Sequence, residues 1–119
     1  MLDLSARRGK KTSHERPAAG VYSSIVVDVR WAEGYDEPEE AYEVIYEITS
    51  EQGKVYRHKE IFKNDISNKR TADFESYLFD HGIVDLKNFT GHHEQLTFAY
   101  QTVYDGKTYF NISARRWVS

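Results

Sequence analysis

From Gly20 the chain alternates at period two. Val21, Ser23, Ile25, Val27, Val29 and Trp31 fall on one face, with Asp28 and Arg30 on the other, which predicts a first strand. EGYDEPEE reads as a polar turn. Beyond it Tyr42, Val44, Tyr46 and Ile48 alternate with Glu43 and Glu47, the signature of a half-buried antiparallel strand. SEQG supplies a hairpin connection with Gly53 free to take positive φ, and residues 54–63 predict the third strand. On that strand Val55, Arg57, Lys59, Ile61 and Lys63 project one way, and Tyr56, His58, Glu60 and Phe62 the other.

The period changes at TADFESYLFDHG. Phe74, Tyr77, Leu78 and His81 lie at i, i+3, i+4 and i+7, one apolar stripe of a helix that Thr71 can cap and Gly82 can stop. NFTGHHE reads as a loop, and Leu96, Phe98 and Tyr100 share one face of a fourth strand. Asp105-Gly106 predicts a type I′ hairpin into a fifth strand over 107–116. There Phe110, Ile112 and Ala114 face one way, and Tyr109, Asn111, Ser113, Arg115 and Trp117 the other. Residues 1–16 are polar and basic and read as a flexible arm, leaving 17–119 as a single domain.

Five strands with one helix between the third and fourth predict a mainly β protein, a five-stranded OB-fold-like barrel. A plain antiparallel sheet carrying one helix is the competing arrangement. Aromatic content of 14% agrees with a strand-rich chain. The chain has no cysteine, which removes disulfides and thiolate metal sites and suits a reducing cytoplasm. Neither an export signal nor a membrane-spanning segment is expected, since no apolar run of the needed length occurs.

The net charge of −3 argues against indiscriminate nucleic-acid binding, but its distribution changes the picture. Every charged residue from Glu33 to Glu51 is acidic. Between Lys54 and Arg70, six cations meet only Glu60 and Asp65. One face can therefore be basic while another is acidic.

Four segments carry a resemblance: GVYSSIVVDV, EAYEVIYEIT, NKRTADFESYLFDHGI and LKNFTGHHEQLTFAYQTVYDGKTYFNI, together most of residues 20–112. In order and spacing they resemble the small OB-fold proteins of phages and integrative mobile elements related to single-stranded DNA-binding proteins. The resemblance implies a cytoplasmic OB-fold protein of a mobile genetic element that binds single-stranded DNA. Such binders commonly end in a flexible acidic tail that recruits partners. This chain ends in Arg115-Arg116-Trp117-Val118-Ser119, so recruitment of that kind is not expected.

The residues themselves point to binding rather than catalysis. Cations can follow a phosphate backbone while aromatic rings stack on unpaired bases. The candidate nucleic-acid-binding residues are Tyr56, Arg57, Lys59 and Lys63 on the third strand, with Tyr109, Asn111, Arg115 and Trp117 on the fifth. Glu43 and Glu47 on the second strand oppose that reading, because carboxylates there would repel phosphate. They also support the alternative of a protein-interaction, inhibitor or accessory module acting through the acidic segment Glu37 to Glu47. His92, His93 and Glu94 lack the helical spacing of a zinc site. There is no G-x-S-x-G, no cysteine nucleophile and no phosphate-cradling glycine loop, so no catalytic residue, metal or cofactor is expected. The expected ligand is single-stranded DNA or RNA.

Overall fold

A computed structural model describes residues 16–102 and 105–118. Apart from Arg16, the expected N-terminal arm lies outside the described residues. Five strands form one antiparallel sheet: β1 (Gly20–Trp31), β2 (Ala41–Thr49), β3 (Val55–Lys63), β4 (His93–Thr102) and β5 (Thr108–Val118). Helix α1 (Lys69–Asp80) and a short 3₁₀ turn (Leu86–Phe89) connect β3 to β4. The sheet order is β3-β2-β1-β4-β5, so β3 and β5 occupy its two ends. The strands and the α-helix expected from periodicity are present among the described residues. The sheet is not closed into the expected OB-fold-like barrel: among the described residues no backbone pairing joins β3 to β5.

Where the alternation is uninterrupted, the faces are as expected. Tyr42, Val44, Tyr46 and Ile48 of β2 are fully buried, and so are Leu96 and Phe98 of β4. The β2–β3 hairpin turns at Gly53, whose φ of 83° is the left-handed conformation that glycine adopts without strain. Ser50 supports it by accepting the Lys54 N–H at 3.0 Å.

Two bulges overturn the expected faces elsewhere. In β1, Val26 pairs with Tyr46 and Asp28 with Ile45, leaving Val27 as the extra residue. Before the bulge Tyr22, Ser24 and Val26 point inward; after it Val29 does. Val21 and Val27, placed by simple alternation with Val29, are exposed. In β5, Thr97 pairs with Ala114 and Phe98 with Ile112, so Ser113 is extra. Phe110 and Ile112 pack on the core ahead of the bulge, and Trp117 packs on the same core beyond it. An added residue shifts the inward parity by one, since side chains alternate strictly at period two.

The helix is capped by Asn68 rather than Thr71. The Asn68 Oδ1 accepts the Thr71 N–H at 3.1 Å, while the buried Thr71 hydroxyl donates to the Lys63 carbonyl at 2.7 Å, tying α1 to the end of β3. At the other end Gly82 N–H donates to Phe79 O and Ile83 N–H to Leu78 O, both at 3.0 Å. These are the two bonds of a Schellman stop, with Ile83 and Leu78 as its apolar contact. Asp105-Gly106 is not the centre of a type I′ turn. Such a turn needs positive φ at both central residues, and Glu39 is the sole described non-glycine residue with positive φ. Asp105 instead accepts the Lys107 N–H on its side chain at 3.0 Å.

Candidate nucleic-acid interface

The sheet curls far enough that its two end strands face each other across an open groove of about 1040 Å³. Lys59 to Phe62 of β3 form one wall and Asn111 to Arg115 of β5 the other, with the first half of α1 beneath. Four cations (Lys59, Lys69, Arg70, Arg115) and two carboxylates (Glu60, Asp73) line it, a positive excess in a chain of net charge −3.

The floor is a buried polar network. Arg115 enters it because the Ser113 bulge turns it inward. Its guanidinium pairs with Glu60, donates to the Tyr46 hydroxyl at 2.9 Å and lies 3.5 Å from Glu94 Oε2. Tyr77 donates to that same Glu94 oxygen at 2.7 Å. Arg70 completes the wall, reaching Glu60 Oε2 at 3.2 Å and the Ile61 carbonyl at 2.6 Å. A guanidinium suits this task because its planar fork can serve several acceptors at once. Across the gap between β3 and β5, a side chain therefore does what backbone pairing does elsewhere in the sheet.

Burial and pairing pull the ionisable groups in different directions. Burial raises the Glu94 pKa, and neither Arg115 nor the Tyr77 hydroxyl fully offsets it. Burial acts to lower the Arg115 pKa, but the Tyr46 oxygen, Glu60 and Glu94 more than reverse that. His58 is lowered by burial and is neutral at neutral pH.

The eight expected contact residues do not form one surface. Arg57, Lys59 and Lys63 are exposed along the outer face of β3, as the pattern requires. Tyr109 is 46% exposed, and exposed Asn111 donates its amide to Gln101 at 3.0 Å. Tyr56 is only 6% exposed and stands edge-on to Tyr22, so it is a core residue with no face open to a base. The Arg115 side chain is 15% exposed and committed to the network. Trp117 stacks flat on His81 at 4.4 Å and also contacts Phe89 and His92. Its turn inward follows from the same bulge as that of Arg115.

No family model matches the chain, and no curated protein matches it. Among the described residues no group of three or more His, Cys, Asp or Glu is placed to hold a metal ion. His92 packs beside Trp117, and Glu94 points into the core. No helix among the described residues is long and apolar enough to cross a membrane.

The two carboxylates that oppose phosphate binding in the sequence look different in place. Glu43 is nearly buried on the outer face of the sheet, between Arg30 Nε at 3.1 Å and Lys59 Nζ at 3.2 Å. Glu47 stands directly opposite Arg57 in the β2–β3 register. Burial pushes the Glu43 pKa up, but the two cations outweigh it and hold the carboxyl below its usual range. A depressed folded-state pKa stabilises the fold above the unfolded value, and that contribution is lost as pH falls through the folded one. Glu43→Gln should therefore cost about 1 kcal/mol at neutral pH and progressively less in acid, read from urea midpoints across a pH series.

Proposed function

We propose that this protein is a non-catalytic single-stranded nucleic-acid-binding protein using the groove between β3 and β5. The observation that carries the reading is the groove itself, an open channel with excess positive charge in an acidic protein. Its element order, β-β-β-α-β-β, and its sheet order are consistent with an OB-fold-like scaffold left open at one seam. Lys59, Lys69 and Arg70, which line the groove, and Arg57 and Lys63, exposed beside it on the outer face of β3, capture the phosphate backbone, with phosphate replacing Glu43, Asp73 and Glu60 as the partner of the three lining cations. Tyr109 stacks on a base at the β4–β5 end of the groove, beside Gln101 and Asn111. Tyr56, Arg115 and Trp117 serve the fold and make no contact with the ligand. The carboxylates of β2 do not oppose binding, because Glu43 is already held between two cations and Glu47 faces Arg57.

The test is fluorescence anisotropy of a labelled oligothymidine titrated with protein over a salt series. Binding should weaken with salt by about 0.7 log units per tenfold salt for each phosphate neutralised. Lys63→Ala and Lys69→Ala should each reduce that slope by about 0.7 while changing stability by less than about 0.5 kcal/mol, Lys69 losing only its exposed pair with Asp73. A slope of zero, or no binding at low salt, would remove the proposal.

A further inference from the structure

At the opposite end of α1 lies a second concavity, a cleft of about 950 Å³ that shares no lining residue with the basic groove. One wall is the end of β1, at Val29 and Trp31. The other is the last turn of α1 and the chain after its Schellman stop, at Phe79, Ile83, Val84 and Leu86. Its apolar rim is open to solvent: Phe79 is 67% exposed, Val84 81% and Trp31 46%. Three exposed apolar side chains lining one cleft are a clustering that single, scattered surface hydrophobics do not show.

The charge around this cleft is of one dominant sign. Asp28, Glu75 and Asp85 line it. Arg30, one of its two cations, is committed to Glu43 and lies 4.0 Å from Asp28, leaving Lys87 as the other. The acidic turn between β1 and β2 is fastened to the cleft's edge. Asn64, a lining residue, donates its backbone N–H to Glu40 O at 2.9 Å and its side-chain amide to Glu39 O at 3.1 Å. That turn carries Asp36, Glu37, Glu39 and Glu40, and it is through Glu39 and Glu40 that it is held to the cleft. The C-terminal pole of α1 also opens here, with Asp80 as its last residue and no basic side chain in its final turn. Helix C-termini carry partial negative charge and favour cations.

We propose that this cleft docks a cationic, amphipathic segment of a protein partner. Aliphatic or aromatic anchors of that segment would insert between Trp31 and Phe79, while its lysines or arginines meet the acidic turn and the end of α1. This is a helix-in-groove mode, in which spaced apolar anchors give affinity and the charged rim selects the partner. The site is independent of nucleic-acid binding, so it stands or falls separately from the groove.

The probe is a labelled Leu/Lys amphipathic peptide, roughly four helical turns long, titrated into the full chain by anisotropy. Two control peptides accompany it, one with glutamate in place of lysine and one with lysine throughout. The Leu/Lys peptide should bind at least about tenfold more tightly than either control. Phe79→Ser with Val84→Ser should weaken it about tenfold or more, and Glu37→Lys should weaken it several-fold. Both sites are exposed, so folding is not at risk, and oligothymidine binding should be unchanged. Equal binding of the glutamate peptide, or of the all-lysine peptide, would overturn the proposal, and so would indifference to the Phe79 and Val84 changes. Light scattering gives the remaining outcome: a dimer that dissociates in the Phe79/Val84 variant would assign the cleft to a second copy of this chain and equally overturn it.

Discussion

Replacing Arg115 by Met should destabilise the protein by about 3–5 kcal/mol, because it removes one partner of a buried charge network and leaves the others behind. Glu94 is fully buried, and the Glu60 side chain is 10% exposed. Arg70 continues to serve Glu60, so the larger share of the loss falls on Glu94, which would keep only the Tyr77 hydroxyl. The pH dependence distinguishes this from a simple packing defect. Burial already raises the Glu94 pKa above its ordinary 4.5. A group whose folded pKa is raised holds its proton more tightly in the native state, so stability falls as pH climbs from the unfolded value through the folded one. Without Arg115 that window widens upward. The cost of Arg115→Met should therefore be largest at neutral pH and shrink as pH falls and Glu94 takes up its proton. Urea unfolding at several pH values reads it directly. A cost below about 1 kcal/mol, or one that does not change with pH, would mean that the network does not hold β5 to β3. Should Arg115→Met fail to fold at neutral pH, the triple change Arg115→Met, Glu60→Met, Glu94→Leu supplies the answer, since an apolar replacement of the whole network should recover much of the loss.

This network explains which parts of the molecule could be read from the chain. Uninterrupted alternation was sufficient for β2 and β3, where every residue from Ala41 to Thr49 pairs in step with Lys63 to Val55. The helical stripe, too, was legible, with Phe74 and Leu78 buried as the spacing requires. What failed was the face assignment in β1 and β5, because a bulge is set by how two strands fit each other and leaves no mark in either sequence alone. Val27 and Ser113 are ordinary strand residues; nothing in their type announces an insertion. A partial signal for the network did exist. Glu60 has the parity of Tyr56 and Phe62, and Glu94 that of Leu96 and Phe98, so two carboxylates lie on inward faces of separate strands. Buried carboxylates call for a cation or a hydroxyl within reach. Arg115 could not be chosen for that role while simple alternation placed it beside Tyr109 and Asn111. The groove was illegible for a related reason: it exists because β3 and β5 are far apart in the sheet order yet brought near by its curl, a relation between distant segments.

The same bulge separates two aromatic residues of β5 that share a face only if alternation is unbroken. Trp117→Ala should cost about 2–4 kcal/mol of stability, since the indole fills the space between His81, His92 and Phe89. Measured well below its unfolding transition, that variant should bind oligothymidine as the parent does. Tyr109→Ala should show the converse. Its ring is 46% exposed, so stability should change by less than about 0.5 kcal/mol, while loss of one base stack should weaken oligothymidine binding roughly tenfold. Combining the two changes confounds folding with binding, whereas the single variants keep them apart. If Tyr109→Ala binds as tightly as the parent, the stacking role falls, even if the salt dependence survives. If Trp117→Ala instead leaves stability intact and weakens binding, then Trp117 swings out to meet the ligand, and the aromatic packing around it is a resting arrangement rather than part of the core. The two proteins differ from the parent at sites seven residue pairs apart on one ladder, yet each should move only one of the two observables, because Ser113 lies between them and reverses which way the strand faces.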